Sequence, residues 1–177
     1  NQMQKLSSQN DILMHKLMQF YRHDNNLHKM LEIINGSSKI SLRIVDWFST
    51  NYSKKHFTMI ETKNNPRFKV YEDYKLKLKA YSKKRFDPFC RWDRIRIPVN
   101  EDDDMCFETT IGQLNFFKWA IENEIIHYIS NNYDTIEKDM NENNSLSKTK
   151  KNKSKDEVIT IPSTCKTRKK REELSVS

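Results

Sequence analysis

Apolar residues in the first part of the chain fall at Leu13, Leu17, Phe20, Leu27, Leu31 and Ile34, with Asp24 in the one missing heptad place. Asn10-Asp11 supplies a start signal and Asn35-Gly36 a stop, after a polar, frayed beginning over residues 1–9. The pattern fits a coiled-coil or partner-binding helix. It also fits a core helix broken near Asp24-Asn25-Asn26, and the short uninterrupted run favours this second reading. Ser41 opens a shorter helix through Leu42, Val45 and Phe48, and residues 54–60 read as a strand. Over 68–81 two periods compete. Lys75, Lys77 and Lys79 alternate with leucines, yet Tyr71, Tyr74, Leu78 and Tyr81 form a helical stripe in a segment rich in Lys and Leu, so helix is expected.

Asp87-Pro88 punctuates the chain. Arg94 to Ile97 alternates as a half-buried strand, and Met105 to Glu108 is its expected antiparallel partner across the acidic loop Glu101 to Asp104. Thr110 and Gln113 form a capping box, from which Leu114, Phe117, Ile121, Ile125 and Tyr128 recur at helical spacing. One long helix to about residue 130 is expected, with Phe117 and Ile121 on its buried stripe. Five of the nine Phe and two of the three Trp lie within residues 85–129, so the core should nucleate there. Beyond Ile136 the apolar pattern fades, and residues 141–177 read as disordered. The expected architecture is mainly helical α+β. A compact single domain over residues 10–140, with one small β-hairpin, precedes a basic disordered C-terminal tail.

Composition narrows the function. Thirty-two Lys and Arg against 24 Asp and Glu give a net charge of +8, which suits an acidic partner but also an ordinary soluble surface. Gly36 and Gly112 are the only glycines, which argues against glycine-rich phosphate loops. Cys90, Cys106 and Cys165 have no CxxC spacing, so neither a disulfide framework nor a zinc site is signalled and a reducing compartment fits best. No apolar run reaches membrane-spanning length, so no membrane partner is expected. The chain opens at Asn1 rather than Met, which leaves open that it is a piece of a longer protein.

Candidate chemistry is sparse. Cys90 beside Asp87 would need an activating histidine, and His15, His23, His28, His56 and His127 are scattered outside any signature with it. A small buried hydrophobe beside Phe89 is the simpler role for Cys90. His23 with His28, or the run Glu101 to Asp104, lacks the spacing of a metal site. No enzyme activity and no cofactor are therefore expected. The informative stretch is Arg67 to Arg96, where eleven Lys or Arg against four acids leave a local net of +7 among seven aromatics. Cations contact phosphates and exposed rings stack bases, so this mixture is what a nucleic-acid surface needs. The plainer alternative has the aromatics facing the core while the lysines are merely solvated. The expected phosphate contacts are Lys75, Lys79, Lys83, Lys84 and Arg85, with 75, 79 and 83 on one helical face. Arg168, Lys169, Lys170 and Arg171 of the tail would serve as an auxiliary arm.

Three stretches carry a resemblance: Ser41 to Lys55 around Asp46-Trp47-Phe48, Ser82 to Arg91 around Phe86-Asp87-Pro88-Phe89, and Thr110 to Ile121 around Asn115-Phe116-Phe117. They are similar to a small conserved protein family of nucleocytoplasmic large DNA viruses of the giant-virus type. The resemblance covers roughly residues 40–130 and implies a viral source and an intracellular setting, in host cytoplasm, viral factory or virion. It carries over no catalytic residue. Two function classes remain: a nonenzymatic nucleic-acid-binding protein for DNA or RNA, and a structural or adaptor virion protein with viral or host protein partners.

Overall fold

The computed structural model of the chain describes residues 2–92, 94–100 and 105–153. In chain order its elements are α1 (Gln2–Tyr21), α2 (Asn26–Ile34), α3 (Leu42–Trp47), a π-helical turn (Phe48–Tyr52) and α4 (Ser53–Lys55). The strands β1 (Met59–Ile60) and β2 (Phe68–Lys69), α5 (Val70–Phe86), and the strands β3 (Arg94–Pro98) and β4 (Cys106–Thr110) follow. The last helices are α6 (Ile111–Glu122), α7 (Ile125–Asn131) and α8 (Tyr133–Lys153). The class is mainly helical α+β, as expected, with two small antiparallel sheets where one hairpin was read. The chain divides into one compact unit, Asn1–Met140, and a second, Asn141–Ser177.

The first unit is built on α6. Thr110 Oγ1 accepts the Gln113 amide at 3.1 Å and starts the helix where the capping box required. Leu114, Phe116, Phe117, Trp119 and Ala120 are all buried, so α6 is apolar around most of its circumference and runs through the middle of the unit. Helices α1, α2, α5 and α7 and strand β4 all lie against it. Tyr21 at the end of α1 donates its hydroxyl to the Leu114 carbonyl, and burial pushes that hydroxyl well above its ordinary pKa. The expected stripe is thus only partly right. Phe117 is fully buried, but Ile121 is half-buried, and the helix stops at Glu122. Asn123 Nδ2 donates to the Trp119 carbonyl at 2.9 Å, and Glu124 is left-handed at φ 58°, so the apolar run from Ile125 starts a separate helix.

A similar device splits the N-terminal pattern. Asp24 and Asn25 take left-handed φ of 53° and 56°, a conformation these short polar side chains tolerate. The two residues reset the helical phase. As a result α2 buries Asn26, Met30 and Ile33, while Leu27 and Leu31 are half-buried and Ile34 is exposed. No continuous heptad seam exists. The strand expected over 54–60 shrinks to Met59–Ile60, because helical structure continues through Lys55. Ser49 and Ser53 are buried there and donate to the carbonyls of Val45 and Ser49, each at 2.8 Å. The tail differs too. Residues 141–153 are helical, where disorder was read, because α8 is anchored through buried Ile136 and Met140 and each further residue adds a backbone hydrogen bond. The sequence beyond Lys153 lies outside the described residues.

The hairpin pairs Arg94 with Thr110 and Pro98 with Cys106, which carries β4 directly into the α6 cap. The C-terminal end of α5 lies close against α6 at Gly112. A Cβ there would lie 2.7 Å from the Asp87 carbonyl oxygen and 3.1 Å from that of Lys84. Both neighbours are backbone atoms that have little freedom to move aside. Gly112→Ala should therefore destabilise the protein by about 1–3 kcal/mol, the usual cost of overpacking, read as a lower urea midpoint. An unchanged midpoint would mean that the two helices do not touch at this residue.

Candidate nucleic-acid interface

Helix α5 carries Glu72 and Asp73 in its first turn, where their charge complements the helix's positive end, and Lys83, Lys84 and Arg85 in its last. Its stripe turns inward. Tyr74, Leu78 and Tyr81 pack on the core. The Tyr74 ring lies 5.8 Å from that of Phe86 and 5.9 Å from that of Trp119, and burial pushes its hydroxyl up to about 12. These tyrosines support the fold, as the plainer alternative held, and do not present ring faces to a ligand. Trp119 Nε1 donates to Asp73 Oδ2 at 2.7 Å, tying α5 to α6 by a second route. The flank beside this stripe exposes Lys75 and Lys79. Lys75 Nζ stands 4.9 Å, and Lys54 Nζ 5.6 Å, from the centroid of the half-buried Tyr71 ring.

The expected alignment of Lys75, Lys79 and Lys83 fails at Ser82. Its φ of 67° and ψ of 165° break the helix and redirect the chain before Lys83. Lys83 and Lys84 are exposed but no longer in step with Lys79. Arg85 is half-buried, its carbonyl accepts from Asn115 Nδ2 at 2.8 Å, and its Nε is buried without a hydrogen-bond partner.

Beyond α5, Asp87 folds the chain into a turn. Its carboxylate accepts the Phe89 amide at 2.9 Å and its carbonyl the Cys90 amide at 3.2 Å. Pro88 and Cys90 point inward, whereas Phe89 and Trp92 are 42% and 44% exposed. Lys84 Nζ sits 5.7 Å from the Trp92 ring centroid. A cavity of about 400 Å³ opens here, lined in part by Phe89, Arg91, Arg94, Thr110 and Gln113. Arg94 Nη1 reaches Glu108 Oε1 at 3.3 Å across the hairpin.

The structure thus separates the expected contacts into two groups, Lys75 with Lys79 on the α5 face and Lys83 with Lys84 at the corner. Arg168, Lys169, Lys170 and Arg171 lie outside the described residues. Phe89, Arg91, Trp92 and Arg94 were not singled out as contacts, although they stand in the basic aromatic stretch. The signal was local: an Asp-Pro turn followed by a two-residue alternation that sends Phe89 and Arg91 outward. Cys90 is buried. Among the described residues no three His, Cys, Asp or Glu side chains gather as a metal site would require, and no helix is long and apolar enough to cross a membrane.

The chain belongs to a family of unknown function, DUF7197, which matches residues 1–176. It is 46% identical over 136 residues to Uncharacterized protein L507 of Acanthamoeba polyphaga mimivirus, covering 73% of this chain and 52% of that protein. The chain therefore spans about half the length of the curated relative it matches. No solved structure matches. The giant-virus resemblance of the three sequence stretches is consistent with both findings.

Ser82 provides a direct check on the corner. Its backbone occupies a region that is essentially glycine's, at a cost of roughly 1–3 kcal/mol for any other residue. Ser82→Gly should relieve that strain and, after the ~0.5–1 kcal/mol entropy penalty of glycine, stabilise by about 1 kcal/mol. Ser82→Val should destabilise. A glycine variant with an unshifted or lower urea midpoint would show that the chain does not turn at this residue.

Proposed function

We propose that this viral protein is a nonenzymatic nucleic-acid-binding protein that holds phosphates on the outer face of α5 and at the corner that follows it. The observation that carries the reading is the corner itself, where the Lys84 ammonium stands over the exposed Trp92 ring and Phe89 of the same turn is also exposed. Exposed rings paired with cations suit a chain of phosphates and bases better than they suit water. Lys75 and Lys79 extend the cationic surface along the helix, and the tail residues Arg168, Lys169, Lys170 and Arg171 act as an auxiliary arm. The contacts are to the backbone, so binding is salt-sensitive and weakly selective for sequence.

A second reading, a structural or adaptor role in the virion, is favoured by a different surface. Phe57 is 89% exposed in a left-handed conformation at φ 49°, close in sequence to exposed Met59. Exposed apolar side chains of this kind suit a protein partner.

The two readings part on one titration. The full chain should bind DNA or RNA oligonucleotides at low salt, with log affinity falling by about 0.7–0.9 per phosphate contact for each unit of log salt. Lys75→Glu with Lys79→Glu should weaken binding to all sequences and flatten that slope by about 1–2. Neutralising Arg168, Lys169, Lys170 and Arg171 should lower affinity and leave residual binding. If the wild-type chain binds neither DNA nor RNA at low salt, the basic surface is not a nucleic-acid site and the protein-contact reading replaces it.

A further inference from the structure

The corner after α5 offers more than charge. Its cavity of about 400 Å³ falls within the ~300–1,000 Å³ of small-ligand sites. Leu42, Pro88 and Phe89 supply apolar wall, Arg91 and Arg94 supply cations, and Gln113 supplies an amide. Gln113 Oε1 accepts from Thr109 Oγ1 at 2.7 Å, which leaves Nε2 as the donor this side chain has to offer. Trp92 follows Arg91 in the chain, with Lys84 over its ring.

The possible occupants differ in how much of this they use. Duplex nucleic acid presents phosphates but keeps its bases stacked inside, so the rings and the cavity would go unused. An inorganic anion would engage the arginines alone. An unpaired nucleotide uses every part, since its base has a π-face for an aromatic ring and its phosphate a charge for a cation. Resting on the nucleic-acid reading above, we infer that this corner binds single-stranded nucleic acid. One base enters the cavity against Phe89, a neighbouring base stacks on Trp92, and the phosphates between them meet Arg91 and Lys84. Arg94, within reach of Glu108 across the hairpin, stands in the same wall.

The experiment uses the full chain with a fluorescent oligothymidine and a duplex of the same length, followed by anisotropy at low salt. The single strand should bind more tightly than the duplex. Phe89→Ala and Trp92→Ala should each weaken single-strand binding by about 5- to 150-fold, the usual loss for one stacked base. Duplex binding should stay within about twofold, since it rests on phosphates alone. Trp92→Phe should restore much of the single-strand affinity, which a merely structural role for the indole would not explain. A single strand that binds no tighter than the duplex overturns the inference and leaves the phosphate-contact reading standing. So does a single-strand affinity unmoved by both alanine variants. Binding of neither form at low salt removes both.

Discussion

The closest backbone approach at a glycine in the structure is that of Gly112 to the carbonyls of Lys84 and Asp87. A side chain of any size at 112 would hold the end of α5 away from α6. Without that contact Phe86 could not reach its place, where its ring lies 5.7 Å from Phe116 and 5.6 Å from Trp119. Two polar ties fix the same junction, Asn115 to the Arg85 carbonyl and Trp119 to Asp73. Each satisfies a buried donor that would otherwise cost about 1–3 kcal/mol. Together with the aromatic contacts they set where α5 ends and therefore where the Asp87 turn begins.

The corner after α5 inherits its geometry from that junction. The backbone from Lys84 to Asp87 lies tight on α6, so the turn that follows presents Phe89 and Trp92 from a fixed base. The surface charges contribute little to this. The Arg94–Glu108 pair is about half exposed, and pairs of that kind are worth roughly 0–1 kcal/mol. Lys79 and Lys83 are exposed as well. Stability rests on the buried rings, so the exposed lysines and arginines can be altered separately from the fold.

The elements legible in the sequence were those with local signals. The Thr110 cap, the Arg94 to Ile97 alternation and the helix over the Tyr71 to Tyr81 stripe need only neighbours along the chain to form. What was not legible depends on single residues in unusual conformations or on distant packing. The break expected near Asp24-Asn25-Asn26 is there, between α1 and α2, but nothing in the apolar spacing announces that Glu124 turns left-handed and divides the second long pattern. Ser82 is harder still, because serine has no preference for the region it occupies, and without its kink Lys83 would have stayed in line with Lys75 and Lys79. The candidate site was half visible for the same reason. The basic aromatic stretch stood out by composition, but which rings face water was decided by contacts with α6, more than twenty residues away in sequence.

If nucleic acid sits on the corner that the α5–α6 junction builds, as proposed, its bases lie against the exposed rings there. Ultraviolet crosslinking of the full chain to a thymidine-rich single strand, with the attached peptides sequenced by mass spectrometry, tests it most directly. Zero-length crosslinks form at rings in contact with bases, so adducts are expected at Phe89 and Trp92. Crosslinks confined to the tail beyond Lys153, or gathered at Phe57, would contradict it.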